Sequence, residues 1–197
     1  MSLTLALVLI VSYILGSIPN GLIFVRAIWH IDLRERGSQN IGATNAWRVV
    51  GKPAGILVFI LDFLKGALSV YLAEMLIDPP EKFMAMALAG IVAILGHSVS
   101  MFMKFRGGKG VATGLGVIAM LMPKVTLIVF LTWLVIVLIT RYVSLGSIVA
   151  ATLTPILAWF FDSPIEFVIF GLAAAILIVV RHRANILRLI HGNENKI

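Results

Sequence analysis

The sequence predicts an all-α, polytopic membrane protein with about seven transmembrane helices, some of them short or broken. Two observations support this prediction: 60% of the 197 residues are hydrophobic, and the charged residues, only 13% of the chain, lie in clusters between long apolar runs. Apolar runs of about 20 residues are typical of helical spans, because a helix satisfies its own backbone polar groups inside lipid. With a mean hydropathy of +1.06, residues 1–197 are predicted to form a single membrane-embedded domain.

Seven apolar segments account for the crossings, at residues 3–25, 54–77, 83–101, 111–122, 124–140, 143–161 and 164–180. The first begins without a basic region, so it is predicted to be a span and not a cleaved signal peptide. Gly16, Ser17 and Pro19 predict a kink or break near its inner end. The fourth segment has about twelve residues, too few for a straight helix to cross about 30 Å of hydrocarbon, and is predicted to be half-length or re-entrant.

The distribution of basic residues predicts an N-terminus outside the cell and a C-terminus in the cytoplasm. With that orientation most of the 16 lysines and arginines fall on the inner side, whereas Lys82 and Lys124 fall outside with Asp78 and Asp162. The net charge of +7 then reflects topology and small anionic substrates, and nucleic acid is not an expected partner. The absence of cysteine excludes disulfides, thiol chemistry and thiolate metal sites.

Four polar segments fall on the predicted inner side. They are residues 37–48, residues 96–113, residues 141–144 and residues 181–188. Taken together, they are rich in Ser, Thr, Asn, His, Arg and Gly. We expect the four segments to converge on one polar pocket at the membrane interface.

The second of these segments contains a glycine-rich turn, Gly107-Gly108-Lys109-Gly110, with the composition of an anion-binding loop. Glycine permits positive φ and close approach of the backbone to a ligand, while backbone amides, the following helix N-terminus and Lys109 all favour an anion. The alternative is a flexible basic loop between two spans. The turn is not a P-loop, because glycine and not Ser or Thr follows Lys109.

The first polar segment supplies neutral donors and one guanidinium, a set that matches the three oxygens of a phosphate monoester. These residues are Ser38, Asn40, Thr44, Asn45 and Arg48. The alternative is a series of turns and N-caps that leads into a helix.

The last polar segment places Arg181, Asn185 and Arg188 at i, i+4 and i+7, which predicts a shared helix face. The alternative is an amphipathic helix on anionic lipid headgroups. His97 and His182 each suit a general base or a phosphate donor, and a hydrogen-bonded structural histidine explains each of them equally well.

Asp62 and Lys65 lie three residues apart inside the second apolar segment, which predicts a buried ion pair with a structural role favoured over a catalytic one. Ser144 either touches substrate or caps a helix. The predicted inner side has few carboxylates, so neither a magnesium nor a zinc site is expected. These carboxylates are Asp32, Glu35 and Glu194.

Several motifs occur together in a family-specific order. They are Gly16-Ser17-Ile18-Pro19, the run from Gly37 to Asn45, Gly96-His97, the run from Gly107 to Thr113, and Arg181-His182-x-x-Asn185-Ile186. Over almost the whole chain they resemble the bacterial membrane acyl-phosphate:glycerol-3-phosphate acyltransferase family. One departure is Arg106, where that family's pattern has lysine, and it keeps the charge.

The resemblance implies that a fatty acyl group moves from acyl phosphate to the 1-hydroxyl of glycerol 3-phosphate, giving lysophosphatidic acid and phosphate in phospholipid synthesis. It implies a multi-pass protein of the bacterial cytoplasmic (inner) membrane with its active site facing the cytoplasm, in contact with membrane lipid. No metal, no cofactor and no obligate protein partner are expected. An acyl phosphate has a good leaving group, so binding and charge neutralisation can replace an enzyme nucleophile.

The resemblance also assigns roles at the matching positions. The first phosphate pocket should be lined by Ser38, Asn40, Gly42, Thr44, Asn45 and Arg48. The second phosphate should be held by Gly107, Gly108, Lys109, Gly110 and Thr113, with His97, Ser144, His182 and Asn185 completing the site. The residues expected to be catalytic are His97, Lys109, Arg48 and Asn185. The acceptor of the hydroxyl proton is either His97 or a phosphate oxygen of the substrates.

A permease for an organic phosphate anion is the alternative from another functional class. It would also need a basic pocket within the membrane. Paired repeats with matching broken helices are typical of transporters, and the sequence has no such repeat. The polar groups also gather at one end of the predicted bundle, which favours the enzyme.

Overall fold

The computed structural model describes residues 2–197, which fold into helices without a β-strand. Met1, the first residue of the predicted domain, lies outside the described residues. The α-helices are α1 Leu3–Ser17, α2 Asn20–Trp29, α3 Ala43–Val49, α4 Lys52–Leu76, α5 Lys82–Ser98, α6 Val111–Leu121, α7 Pro123–Thr140, α8 Val143–Phe160, α9 Ile165–Arg181 and α10 Arg183–Ile190. A short 3-10 turn, Met101–Met103, follows α5.

Five helical stretches are long and apolar enough to cross a membrane. They are Leu3–Trp29, Lys52–Leu76, Lys82–Met103, Pro123–Thr140 and Val143–Phe160. Helices α9 and α10 together make a sixth if the pair, bent by 61°, counts as one span. The remaining predicted segment is α6, an 11-residue helix that is too short to cross alone. The predicted all-helical membrane protein, with one short segment, is confirmed.

The predicted break in the first span separates α1 from α2 at Ile18 and Pro19. A broken helix leaves backbone groups without intrahelical partners, and Lys65 Nζ donates to the Ile18 carbonyl over 3.0 Å. Lys65 also pairs with Asp62 at 2.9 Å, and Asn20 Nδ2 donates to the same Asp62 oxygen over 3.0 Å. The predicted buried ion pair is present, and it stabilises the break.

The helices pack closely where small residues face a neighbouring backbone. A Cβ on Gly16 would lie 2.2 Å from the carbonyl oxygen of Ala93, and one on Gly66 would lie 2.1 Å from that of Thr113. These contacts bring α1 against α5, and α4 against α6. On the other side α8 packs between α7 and α9. A cavity lies between the short α6 and the three helices that follow it.

Candidate active site

The cavity has a polar end at the helix termini and an apolar extension between the helices. The apolar wall follows α6 from Val111 to Ile118, α8 from Val143 to Thr154, and α9 from Ile178 back to Phe170. At 1.5 Å per helical residue these stretches are about 10–17 Å long. The polar end is lined by Ser38, Asn40, Thr44, Asn45, Arg48, His97, Lys109, Ser144, His182, Asn185, Arg188 and Glu194. All four predicted polar segments therefore meet in one cavity.

In the first polar segment, Asn45 organises the loop that precedes α3. Its Oδ1 accepts from the Ser38 amide over 2.9 Å, and its Nδ2 donates to the carbonyls of Leu33, Arg36 and Asn40. A buried asparagine with this many backbone partners has little capacity left for a ligand. Asn45 was predicted to line the phosphate pocket, and it does border the cavity. Its amide, however, holds the loop and so positions Ser38 and Asn40.

Arg48 projects from α3 to the cavity with donor capacity to spare. Its Nη2 donates to the backbone carbonyl of Asn195 over 2.8 Å, and its buried Nε has no hydrogen-bond partner among the described residues. Gly42 and Thr44 line the same side of the cavity. A half-buried guanidinium with an unpaired donor favours an anion.

The glycine-rich turn is built by close approach more than by positive φ, which only Gly110 among its glycines adopts, at 80°. A Cβ on Gly107 would lie 2.1 Å from the His97 carbonyl oxygen, and one on Gly108 would lie 2.1 Å from His97 Nε2. The Gly108 amide donates to that His97 carbonyl over 3.1 Å. Glycine is needed here because the turn rests on His97.

Three residues predicted to hold the second phosphate do not line the cavity. They are Gly107, Gly108 and Thr113. The two glycines are turned toward protein groups, and Thr113 is fully buried against α4, where its carbonyl oxygen approaches Gly66. Gly107 and Gly108 thus shape the turn and Thr113 packs α6 against α4, and none of the three borders the cavity in which the second phosphate was expected. Lys109 and Gly110 do line the cavity, as do the first residues of α6, whose amides lack intrahelical partners.

Lys109 belongs to a hydrogen-bond network that ends on a carboxylate. Lys109 Nζ donates to Asn185 Oδ1 over 2.6 Å, and Asn185 Nδ2 donates to Glu194 Oε1 over 2.7 Å. Ser144 Oγ donates to the same Glu194 oxygen over 3.0 Å, and Arg188 Nε donates to the other over 2.8 Å. Glu194 thereby orients the Asn185 amide so that its oxygen faces Lys109.

Glu194 and Arg188 were not predicted from the sequence as site residues. Glu194 reaches the cavity because the last residues fold back across it, with the Ile197 amide donating to the Arg141 carbonyl over 3.0 Å. Lys196 lies 5.4 Å from the centre of the Tyr142 ring on the same path. The signal in the sequence was a carboxylate within an otherwise basic inner segment.

The surroundings of the polar end lower the pKa of both its lysine and its carboxylate, but for different reasons. Burial, assisted by Arg188, Arg48 and Arg181 and opposed by Glu194, lowers the pKa of Lys109 from 10.5 to about 8. Burial alone would raise the pKa of Glu194, but its hydrogen bonds from Asn185, Arg188 and Ser144 outweigh burial and lower it. Glu194 is therefore ionised at neutral pH, and Lys109 titrates close to the physiological range.

Arg181, Asn185 and Arg188 do border one depression, but they do not lie on one continuous helix as their spacing predicted. The helix bends by 61° at His182, whose Nδ1 lies 2.8 Å from the Ile178 carbonyl oxygen. Arg181 ends α9 and contacts the glycine turn, whereas Asn185 and Arg188 project from α10 toward Glu194. The three residues meet at the site because of this bend.

His97 is buried, and its ring lies between the glycine turn and the ion pair. Its Nδ1 is 3.8 Å from Asp62 Oδ1 and has no hydrogen-bond partner among the described residues. Both His97 and Asp62 line the cavity. The imidazole is thus placed to support the turn from below, with one edge on the cavity.

A second, shallower depression adjoins the polar end. It shares Ser38, Asn40, Lys109, Asn185 and Arg188 with the cavity. It adds Gly37, Gln39, Arg181, Ala184 and Asn195. Two adjoining spaces around the same lysine suit two anions side by side, or one larger anion.

The arrangement as a whole suits the binding of a phosphorylated amphiphile. Arginine, lysine, hydroxyl and amide donors surround the polar end, and hydrocarbon side chains line the extension. Residues 2–197 contain no cluster of three His, Asp or Glu side chains that could hold a metal ion.

Comparison with known proteins supports a specific family. A sequence model of the family described as glycerol-3-phosphate acyltransferase matches residues 6–192. The relative named glycerol-3-phosphate acyltransferase 2, from Moorella thermoacetica, is 44% identical over 191 residues, covering 97% of this chain and 96% of the relative. A glycerol-3-phosphate acyltransferase from Carboxydothermus hydrogenoformans is 42% identical over 188 residues, covering 95% of this chain and 94% of the relative.

Two solved structures have the same fold. Both are crystal structures of PlsY (YgiH), described as an integral membrane glycerol 3-phosphate acyltransferase, one in a glycerol 3-phosphate form and one in a lysophosphatidic acid form. The TM-scores are 0.92 and 0.89 at 39% and 37% identity, and each match covers 98% of this chain and 95% of the other. Sequence and fold agree over nearly the full length, so this chain belongs to the glycerol-3-phosphate acyltransferase family.

Proposed function

We propose that this protein transfers a fatty acyl group from an acyl phosphate to the 1-hydroxyl of glycerol 3-phosphate. The products are lysophosphatidic acid and inorganic phosphate, and the role is the first acylation in phospholipid synthesis. The observation that supports this most directly is the cavity itself, which joins a cation-lined polar end to an apolar extension between α6, α7, α8 and α9.

The two parts of the cavity match the two parts of an acyl phosphate. The acyl chain lies along the apolar wall, which offers about 10–17 Å of helix length. Its phosphate lies at the polar end, near Arg48 and Lys109. Glycerol 3-phosphate then occupies the adjoining depression, where Arg188 and Ser38 are available.

The reaction needs proximity and charge neutralisation more than it needs an enzyme nucleophile. The substrate hydroxyl oxygen forms a bond to the acyl carbonyl carbon, the bond from that carbon to the phosphate oxygen breaks, and the hydroxyl proton passes to the departing phosphate. Lys109 and Arg48 stabilise the negative charge that gathers on the two phosphates. No metal or cofactor enters this scheme.

Two candidates for the proton acceptor were open from the sequence, His97 and a substrate phosphate oxygen. The His97 ring is packed against Gly108, and its Nδ1 faces Asp62. This packing favours the phosphate oxygen, which is carried into the site next to the hydroxyl. His97 in this scheme shapes the turn that presents Lys109.

We also propose that the protein lies in the bacterial cytoplasmic membrane with this site on the cytoplasmic side. Basic residues are concentrated around the polar end, and the positive-inside rule assigns such segments to the cytoplasm. They include Arg48, Lys109, Arg181 and Arg188. A glycerol 3-phosphate site requires access from the compartment that holds this soluble substrate.

The experiment that tests the function uses the purified protein in detergent with palmitoyl phosphate and glycerol 3-phosphate. Magnesium is removed by chelation, and coenzyme A is omitted. Lysophosphatidic acid, followed by mass spectrometry, should appear with one phosphate released per molecule formed. Absence of product, or product that requires an acyl thioester, would contradict the proposal and leave the phosphate permease to be tested by uptake into vesicles.

The Lys109→Ala variant tests the site in the same assay. Loss of this half-buried ammonium from the polar end should lower kcat/KM by about 100-fold or more, because its charge acts on the reacting phosphates. Lys104→Ala is the matched control, since Lys104 is an exposed lysine in the same loop and should leave kcat/KM unchanged. Equal effects of the two substitutions would remove Lys109 from the site.

A further inference from the structure

The position of Lys109 depends on the turn that precedes it, and one side chain holds that turn from outside. Arg181 Nη2 donates to the Gly107 carbonyl over 2.9 Å, and Arg181 Nε donates to the Gly108 carbonyl over 3.2 Å. A planar guanidinium can meet two neighbouring acceptors at once, and an ammonium on a flexible stem does so poorly. Arg181 therefore donates hydrogen bonds to the two consecutive peptide groups that precede Lys109.

The opposite side of the turn rests on the end of α5. The Gly108 amide donates to the His97 carbonyl over 3.1 Å, and the His97 ring fills the space where a Gly108 side chain would stand. Gly107 and Gly108 are thus held between α5 below and Arg181 of α9 above. Neither glycine has positive φ, so the turn's shape depends on these contacts and not on unusual backbone angles.

The same bent pair of helices also receives the lysine side chain. Arg181 is the last residue of α9, and Asn185, which accepts from Lys109 Nζ over 2.6 Å, lies in α10 beyond the 61° bend. The turn that carries Lys109 and the ammonium of Lys109 are consequently both held by the bent pair of α9 and α10. A shift of the turn would change both the depth of Lys109 and its distance from Asn185.

We propose that Arg181 is a positioning residue for acyl transfer, which fixes the glycine turn through the Gly107 and Gly108 carbonyls and so fixes where Lys109 meets the reacting phosphates. The proposal rests on the proposed function of this site. It assigns to Arg181 an action through Lys109, distinct from the direct phosphate contacts of Arg48 and Lys109.

A direct contact between Arg181 and phosphate is the competing explanation, because Arg181 also borders the outer depression. The two explanations differ in what a lysine at this position would do. A direct contact needs mainly charge, so lysine would retain function. Positioning needs two directed hydrogen bonds, so Arg181→Lys would lose activity although the positive charge is kept.

The test compares Arg181→Lys with wild type and with Arg183→Lys, an exposed neighbour that serves as the matched control. Wild-type turnover of palmitoyl phosphate and glycerol 3-phosphate comes first, so that a failure of the proposed function is seen separately. For Arg181→Lys we expect kcat to fall about 10- to 100-fold with KM for both substrates within about threefold, since small misplacements of catalytic groups have effects of this size. Arg183→Lys should match wild type.

The pH profile separates misplacement of Lys109 from a mere loss of folded enzyme. The charged groups that act on Lys109 are Glu194, Arg188, Arg48 and Arg181, and the lysine substitution preserves their total charge. If the turn shifts and Lys109 becomes more hydrated, the alkaline limb of kcat/KM should move from about 8 toward 10.5 in Arg181→Lys. A smaller amount of folded enzyme would lower the whole profile without moving the limb.

Three results would overturn the proposal. The first is an Arg181→Lys enzyme with wild-type kcat. The second is an Arg181→Lys enzyme whose kcat is reduced while the alkaline limb stays at about 8. The third is a failure of both Arg181→Lys and Arg181→Gln to fold. If Arg181→Lys does not purify folded, Arg181→Gln replaces it, and its limb should move upward as well. A failure of both variants to fold would assign Arg181 to folding alone.

Discussion

At the scale of single residues, the proposed binding of phosphate depends on the protonation of Lys109. The ammonium form favours bound phosphate, and the pKa of Lys109 is lowered to about 8 chiefly by burial. A group that acts in its protonated form is fully active below its pKa and loses activity as the pH rises through it. Activity on the alkaline side should therefore report this one side chain.

We expect kcat/KM for glycerol 3-phosphate to be constant at lower pH and to fall as the pH rises through about 8. In Lys109→Arg the cation persists at every accessible pH, so the residual activity, although smaller, should lose this alkaline limb. The measurement is kcat/KM between about pH 6 and 10, corrected for uncatalysed hydrolysis of the acyl phosphate. The fall in kcat/KM is expected around pH 8. An unchanged limb in Lys109→Arg would assign the titration to another group.

The sequence predicted the residue types of the site better than their individual contacts. Arg48, Lys109, Ser144 and Asn185 do meet in one cavity. Asn45 was placed among the ligands, but it is committed to the backbone of its own loop, a contact set that only the folded loop reveals. Short-range spacing indicates which residues share a segment and carries little information on which atoms are already occupied.

Glu194 was missed because its role arises from contacts distant in sequence. It joins Ser144 of α8 to Asn185 and Arg188 of α10, while the adjacent Asn195 carbonyl accepts from Arg48 of α3. The hydrophobic periodicity of the chain does not predict that its last residues fold back onto these helices. Arg181 was predicted only as one of three residues at helical spacing. Its contacts with two glycine carbonyls could not be predicted, because the sequence did not predict the bend at His182.

At the scale of helices, the break in the first span was predictable from the sequence, whereas the contacts that stabilise it depend on packing. Pro19 made the break predictable, because proline cannot continue a helix in the ordinary way. What stabilises the break is the buried pair of Asp62 and Lys65, with Lys65 also bonded to the Ile18 carbonyl. The spacing of that pair was predictable, whereas its partner in the first span was not.

Asp62→Ala should destabilise the protein by about 3–5 kcal/mol, because it leaves the Lys65 ammonium buried without its counter-charge. The control is Asp32→Ala, which removes an exposed pair with Arg34 and should cost about 0–1 kcal/mol. Reversible unfolding in detergent, followed by tryptophan fluorescence, measures both. Equal losses in the two variants would show that the buried pair contributes no more than a surface pair.

At the scale of the whole molecule, hydropathy predicted the fold class because lipid imposes the helix on any apolar span. The number of crossings is less directly encoded. Helix α6 has only 11 residues, and α9 with α10 forms a bent pair, so five or six stretches meet the length and hydropathy of a span where seven were predicted. The charge distribution predicts the orientation, and labelling of introduced thiols tests it.

The absence of cysteine makes that measurement clean, since each introduced thiol is unique. With the N-terminus outside, Lys82→Cys should react with a membrane-impermeant maleimide added to whole cells, and Arg106→Cys should react only after the cells are opened. Labelling is read by mass shift of the purified protein. The reverse pattern would place the polar end of the cavity outside the cytoplasm.

The central claim is that two phosphorylated reactants meet in one cation-lined cavity and that the acyl group passes directly between them. Incubation of the protein with palmitoyl phosphate and radiolabelled inorganic phosphate, without glycerol 3-phosphate, tests it most directly. Direct transfer requires the acceptor, so the account predicts that no label enters palmitoyl phosphate while full transfer occurs once glycerol 3-phosphate is added. Labelled palmitoyl phosphate formed without the acceptor would reveal an acyl-enzyme intermediate and contradict the account.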